Sequence, residues 1–114
     1  MNATTRWIVK SSVLLIGIFL GAALLTAAEP DGAAIYKQRC AMCHGADGKG
    51  FSAIKTPDMT SPKWQASLTH HEIVEVIKNG KKGTPMPPFG GKLKEDEIKA
   101  VVTFIRSLDS GKKK

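Results

Sequence analysis

The sequence predicts an all-α fold in which a few helices are joined by long, ordered loops. Three stretches carry helical signals, namely 32–43, 69–79 and 95–108. The segments between them are rich in glycine and proline, which favour turns and interrupt helices. No stretch alternates apolar and polar residues as a half-buried strand would. At 114 residues, the chain is long enough for one domain at most.

The first 28 residues have the pattern of a secretory signal peptide. Arg6 and Lys10 precede an apolar run over 13–26, and small residues follow at 26–28. An uncleaved membrane anchor is the alternative, although the apolar stretch 13–28 is 16 residues long, under the roughly 20 that span a bilayer. We predict cleavage, because only 11 residues separate Ala28 from Cys40. Residues 29–114 then form the folded domain.

The first two helices have recognisable ends. Asp31 is a suitable N-cap for a helix that begins at Gly32. Thr69 and Glu72 have the spacing of a capping box at the start of the second helix. Gly80 follows that helix, and glycine accepts the left-handed backbone with which helices commonly end.

The last helix is predicted from Glu95 to Leu108. Apolar residues recur there at helical spacing, and acidic residues at 95–97 lie where the helix dipole favours negative charge. Lys94 occupies the N-cap position and is a poor cap, so we expect this end to fray.

The formal net charge is +7, which suggests acidic partner proteins or a negatively charged membrane surface. Nucleic acid is a poor match, because the lysines are scattered and are not interleaved with aromatic residues. A domain this small is marginally stable without a cofactor, metal or disulfide. We therefore expect the chain to fold around a cofactor.

The segment Cys40-Ala41-Met42-Cys43-His44 predicts that cofactor. Two thiols three positions apart can each add to one vinyl group of the same porphyrin, and the adjacent imidazole can bind its iron. A thioredoxin-like dithiol would need a βαβ context, a structural zinc site would need four ligands, and a disulfide would close a very small loop. We predict one covalent haem c on Cys40 and Cys43, with His44 as an axial ligand.

A methionine is expected as the second axial ligand, because His/Met ligation raises the reduction potential. Met42 lies beside His44 and cannot reach the opposite face of the haem. Met59 is interpreted as a packing residue, and Met86, held in the proline-rich loop 84–89, is our predicted ligand. His70 and His71 are interpreted as exposed residues in a helix's first turn.

Residues 31–110 resemble a class I cytochrome c of the short bacterial kind. The resemblance implies the cytochrome c fold, with helices and ordered loops wrapped round the haem and with the N- and C-terminal helices crossing closely. It is carried by Gly32, Tyr36, the segment 40–45 with its C-x-x-C-H-G pattern, Asp47-Gly48-Lys49-Gly50, Pro57-Asp58-Met59-Thr60, Gly80 and Met86-Pro87-Pro88-Phe89.

The resemblance also implies roles for single residues. Gly32, Tyr36 and Phe104 match the positions at which the terminal helices touch. Pro57 matches a proline whose carbonyl accepts a hydrogen bond from the haem-ligating histidine, here His44. Trp64 resembles a tryptophan that lies near the haem propionates.

From these observations we predict a single-electron carrier of the periplasm or of the outer face of the cytoplasmic membrane. The alternative is a haem subunit docked in a respiratory or dehydrogenase complex. An enzyme or gas sensor with a labile sixth ligand ranks last, because the sequence offers no acid–base pair near a distal site. The expected partners are redox proteins with acidic docking surfaces, and the membrane is a partner only if the N-terminal segment stays uncleaved. The lysines expected to meet such partners are Lys78, Lys81, Lys82, Lys92 and Lys94.

Overall fold

The computed structural model describes residues 26–112, and these form a helical domain without strands. The predicted all-α fold is therefore confirmed. None of the helices in this range is long and apolar enough to cross a membrane. The predicted signal peptide or anchor lies almost entirely outside the described residues. The elements are α1 (Gly32–Arg39), α2 (Ala41–His44), α3 (Pro62–Ser67), α4 (His70–Asn79) and α5 (Glu95–Ser107), with short 3-10 turns at Ser52–Ile54 and Ser110–Lys112.

Helices α1 and α5 cross at close range, as the resemblance implies. A Cβ atom added to Gly32 would lie 2.1 Å from the carbonyl oxygen of Ala100, so only glycine fits at this contact. One turn further along α1, the ring of Tyr36 lies 5.0 Å from that of Phe104, centroid to centroid. The buried core lies around this crossing. Its members are Tyr36, Met59, Ile73, Val74, Ile77, Leu93, Ile98, Val101, Val102 and Ile105.

The predicted helix over 32–43 is divided into α1 and α2. Asp31 caps α1 as expected, since its carboxylate accepts a 3.1 Å hydrogen bond from the Ala34 amide. The break falls at Cys40, whose φ of −117° departs from helical geometry. The chain stays coiled, because the Cys40 amide bonds to the Tyr36 carbonyl. The last four residues of the attachment motif therefore form a separate short helix, α2.

Helix α3 was not predicted, and its first two residues, Pro62 and Lys63, fall at the end of the stretch 44–63 that was predicted as a loop. Ser61 and Pro62 occupy its N-cap and first position, which are common residues for a helix start. Helix α4 follows as predicted. The Thr69 hydroxyl accepts a hydrogen bond from the Glu72 amide at 3.2 Å, and the Glu72 carboxylate accepts one from the Thr69 amide at 2.6 Å. The capping box is therefore confirmed.

The start of α5 differs in part from the expectation. The Lys94 side chain carries no acceptor, so it makes no cap, as predicted. The Glu97 carboxylate nevertheless accepts a 2.7 Å hydrogen bond from the Lys94 amide, and Glu95 pairs with Lys99 at 2.8 Å. These contacts replace part of the missing cap.

Candidate haem site

The two predicted attachment thiols lie at the start and within α2. In the described structure neither is oxidised to a disulfide. The Cys40 side chain is half-buried against the core, and this burial, with a smaller contribution from Cys43, raises its pKa to about 11. Cys43 is exposed. The turn therefore offers one thiol from the protein interior and one from the surface.

His44 closes the same turn, and its amide bonds to the Cys40 carbonyl at 2.9 Å. Its Nδ1 atom is buried and has no hydrogen-bond partner among the described residues. Burial also lowers the pKa of the imidazole. The neutral ring, which is the form that binds a metal, is therefore favoured.

The hydrogen bond from His44 to Pro57, implied by the resemblance, is not formed in this structure. The Pro57 carbonyl lies against the backbone of Gly50 instead. A Cβ atom at Gly50 would be 2.6 Å from the Pro57 oxygen, and the Gly50 amide donates a 2.8 Å hydrogen bond to the His44 carbonyl. The Pro57 carbonyl thus touches Gly50, whose amide is bonded to the His44 backbone, but it makes no hydrogen bond to the His44 ring.

Met86 is half-buried and packs against the core. Backbone hydrogen bonds close its loop and hold the end of the loop to α4. The Lys81 amide donates to the Met86 carbonyl at 3.2 Å, and the Phe89 amide donates to the Ile77 carbonyl at 2.9 Å. Gly80 makes this possible, because its φ is +73° and a Cβ there would lie 2.8 Å from the Met86 carbonyl oxygen. The backbone that carries the Met86 side chain is thus fixed by hydrogen bonds.

The other methionines and the histidine pair differ in exposure. Met59 is only 3% exposed and belongs to the core, which confirms its predicted packing. Met42 is 88% exposed, within the attachment motif. His70 and His71 are exposed in the first turn of α4, as predicted. Trp64 is half-buried and packs against the same core as Cys40 and Met86.

Sequence reasoning missed a buried polar contact between α3 and α5. Gln65 is 7% exposed, and its amide donates to the carbonyls of Met59 and Ile105 at 2.6 and 2.9 Å. The Arg106 guanidinium donates to the Gln65 backbone and side-chain oxygens and to the Leu68 carbonyl. This contact ties the Met59 loop to α5. No local pattern marks Gln65 as buried, because its partners are far away in the sequence.

A family model described as cytochrome c oxidase, cbb3-type, subunit III, matches residues 27–105. The chain belongs to this family. The match includes the predicted attachment motif, α1, the Met86 loop and all but the last two residues of α5. It confirms the resemblance to a class I c-type cytochrome.

Curated relatives of this cytochrome include two FixP subunits of cbb3-type cytochrome c oxidase. That of Bradyrhizobium sp. (strain ORS 278) is 35% identical over 81 residues, which are 71% of this chain and 28% of the relative. That of Azorhizobium caulinodans is 35% identical over 86 residues, 75% of this chain and 29% of the relative. The cytochrome thus spans less than a third of the length of these relatives.

Solved structures show the same fold. The c-type cytochrome KustC0563 superposes with a TM-score of 0.66 at 32% identity, covering 70% of this chain and 99% of its own. The c-type cytochrome NirC gives 0.56 at 26% identity, covering 67% and 85%. The predicted cytochrome c fold is therefore confirmed.

Membership of a c-type cytochrome family implies covalent haem c, and the residues of this chain fit that group. Two free thiols lie three positions apart on one turn. Burial lowers the pKa of the adjacent imidazole and so favours its neutral form, and its buried Nδ1 has no hydrogen-bond partner among the described residues. Within residues 26–112, no cluster of three His, Cys, Asp or Glu side chains could hold a metal ion directly. These donors suit a thioether-linked haem with a histidine ligand.

Proposed function

We propose that this cytochrome is a haem-bearing electron-transfer subunit docked in a respiratory complex. The observation that carries the proposal is the α2 turn, which combines two free thiols with a neutral, half-buried imidazole. The relatives named FixP are subunits of a cbb3-type oxidase, and this favours a docked subunit over a free carrier. Of the two functions predicted from the sequence, the alternative therefore becomes the leading one.

Each site residue has a definite role in this proposal. Cys40 and Cys43 would form the thioether bonds, and His44 and Met86 would hold the iron from opposite faces. The haem would supply the redox-active iron, while the chain would supply its ligands and the hydrogen-bonded loop that carries Met86. With both axial positions filled, the subunit transfers electrons and does not itself catalyse a reaction of a substrate.

We propose Pro57 as the acceptor for His44 Nδ1 in the haem-bound protein. A buried ring nitrogen without a partner costs free energy, and the Pro57 carbonyl is already linked to the His44 backbone through Gly50. Such a bond would fix the ring and make it a better electron-pair donor to iron.

We also propose a single haem, since the printed sequence contains one C-x-x-C-H motif.

The proposed location is the outer face of the cytoplasmic membrane, because haem is attached to such motifs after export. Residues 1–28 would direct that export. Intact mass spectrometry of protein from its native host tests this assignment. A chain that starts near Glu29 supports a cleaved signal peptide, and a membrane-bound chain that starts at Met1 supports an anchor.

A diffusible electron carrier is the second candidate. It is favoured by the comparison with KustC0563, whose chain is matched over 99% of its length. A domain of this size is therefore found as a whole chain in a solved protein. The same haem site serves both functions, and the difference lies in the partner contact.

Solubilisation of native membranes in mild detergent, followed by size exclusion with haem detection, separates the two candidates. A docked subunit should elute with a large complex and stay there in moderate salt. Elution at the mass of the single cytochrome, in both low and moderate salt, would support the diffusible carrier instead.

A further inference from the structure

Tyr36 joins the contact between α1 and α5 to the haem-attachment turn. It is the one tyrosine in the sequence and is 1% exposed. Its ring packs on Phe104 of α5 at 5.0 Å. Its hydroxyl donates a buried 2.8 Å hydrogen bond to the carbonyl of Gly45, the residue that follows His44.

Packing alone does not account for this hydroxyl. A phenylalanine would fill the same space beside Phe104 without the cost of burying a polar group. The hydroxyl also stays protonated near neutral pH and can therefore donate, because burial and the nearby Cys40 and Asp47 raise the pKa of Tyr36 to about 12. The hydrogen bond to Gly45 is thus the feature that distinguishes tyrosine from phenylalanine here.

The backbone that receives this bond surrounds His44. The Gly45 carbonyl also accepts a 3.1 Å hydrogen bond from the Gly48 amide, and the His44 carbonyl accepts one from Gly50 at 2.8 Å. Gly45 has a φ of +79°, so the chain turns sharply at the point where Tyr36 holds it. Three donors therefore fix the two carbonyls next to the imidazole.

We propose that Tyr36 is a positioning residue for the axial histidine. Its hydroxyl holds the carbonyl of Gly45, one residue beyond His44, and so helps to set the orientation of the imidazole toward the haem iron. The inference rests on the proposed function, because it takes His44 as the ligand of a bound haem.

Tyr36→Phe in the haem-loaded protein tests the proposal. The His44 ring-proton signals should shift in the paramagnetic proton NMR spectrum of the ferric protein. The Gly48 and Gly50 amides should exchange with solvent about tenfold faster, because one hydrogen bond of their network is lost. Covalent haem on denaturing gels should be unchanged. Its absence from the unmodified protein would refute the proposed function instead.

Phe104→Leu is the matched control. It weakens the contact with the Tyr36 ring but keeps the hydroxyl, so it should lower the stability without shifting the His44 signals. Equal shifts in both variants would reduce Tyr36 to a packing residue, and so would unchanged signals in Tyr36→Phe.

A second measurement covers the case in which Tyr36→Phe does not yield holoprotein. Because Tyr36 is the one tyrosine, feeding cells 3-fluorotyrosine labels this site alone. The fluorinated phenol is a stronger hydrogen-bond donor with nearly the same shape. The His44 signals should move in the labelled protein, and identical spectra would overturn the proposal.

Discussion

Gly32 of α1 and Ala100 of α5 are in direct backbone contact. Their approach is so close that a Cβ on Gly32 would lie 2.1 Å from the Ala100 carbonyl oxygen and 2.4 Å from its carbonyl carbon. The obstacle is backbone on both sides, so it cannot move aside as a flexible side chain would. The two terminal helices must separate if residue 32 gains a side chain.

Gly32→Ala should therefore destabilise the haem-loaded protein by about 1–3 kcal/mol, the usual cost of overpacking a close contact. Chemical denaturation followed by circular dichroism gives the free energy of unfolding. Gly91→Ala is the control, because no atom lies within 4 Å of a Cβ at that position. Equal losses in the two variants would contradict the close contact.

Covalent haem should depend on both cysteines of α2. Replacing either Cys40 or Cys43 with serine leaves at most one thioether bond, so the yield of holoprotein should fall. The double variant should retain no haem on a denaturing gel stained for haem peroxidase activity. Stained haem in the double variant would refute the attachment site, since the sequence contains no other cysteine.

Met86→Ala should leave the iron accessible to external ligands, because Met86 is the proposed sixth ligand. We expect loss of the ferric thioether charge-transfer band, a lower reduction potential and ready binding of imidazole or cyanide. Optical titration and potentiometry measure these changes. Met86→His should keep the iron low-spin but still lower the potential.

Met59→Leu is the matched methionine control. Met59 is 3% exposed in the core, so the exchange should cost less than about 1.5 kcal/mol of stability and leave the band unchanged. If Met59→Leu abolishes the band while Met86→Ala preserves it, Met59 is the ligand and our assignment is wrong.

Charge reversal at Lys81 and Lys82 should slow electron transfer to the physiological partner. Both lysines are exposed beside the Met86 loop, where they would attract an acidic surface. Stopped-flow rates should fall mainly at low ionic strength, because salt screens such attraction. Reversal at Lys37 and Lys63, which are exposed on α1 and α3, is the control. If both pairs slow electron transfer to the same extent, the effect comes from the net charge of the protein and not from a docking surface at Lys81 and Lys82.

Local signals in the sequence were sufficient for much of the fold. The Asp31 cap, the Thr69–Glu72 capping box and the glycine after α4 depend on residues within four positions of each other. The attachment turn is local in the same way. Helix α3 was missed although Ser61 and Pro62 are typical of a helix start, because the surrounding composition resembles a loop.

Other features depend on contacts that no short stretch contains. Gln65 and Arg106 are 41 residues apart, and either side chain would look like ordinary surface in its own helix. The hydrogen bond from Tyr36 to Gly45 likewise joins residues nine positions apart, across the break between α1 and α2 at Cys40. Pro57 was placed by resemblance alone, and a resemblance does not fix the orientation of a ring such as that of His44.

The anchoring of the Met86 loop has a consequence for protein engineering. Its exit is bonded to the end of α4 by the Phe89 and Gly90 amides, and at its entry the Lys81 amide bonds to the Met86 carbonyl across the loop. The segment between them is therefore a cassette whose side chains can be exchanged while its attachment points stay in place. Libraries confined to 82–88 should vary the proposed sixth ligand of the iron without redesign of the helical core.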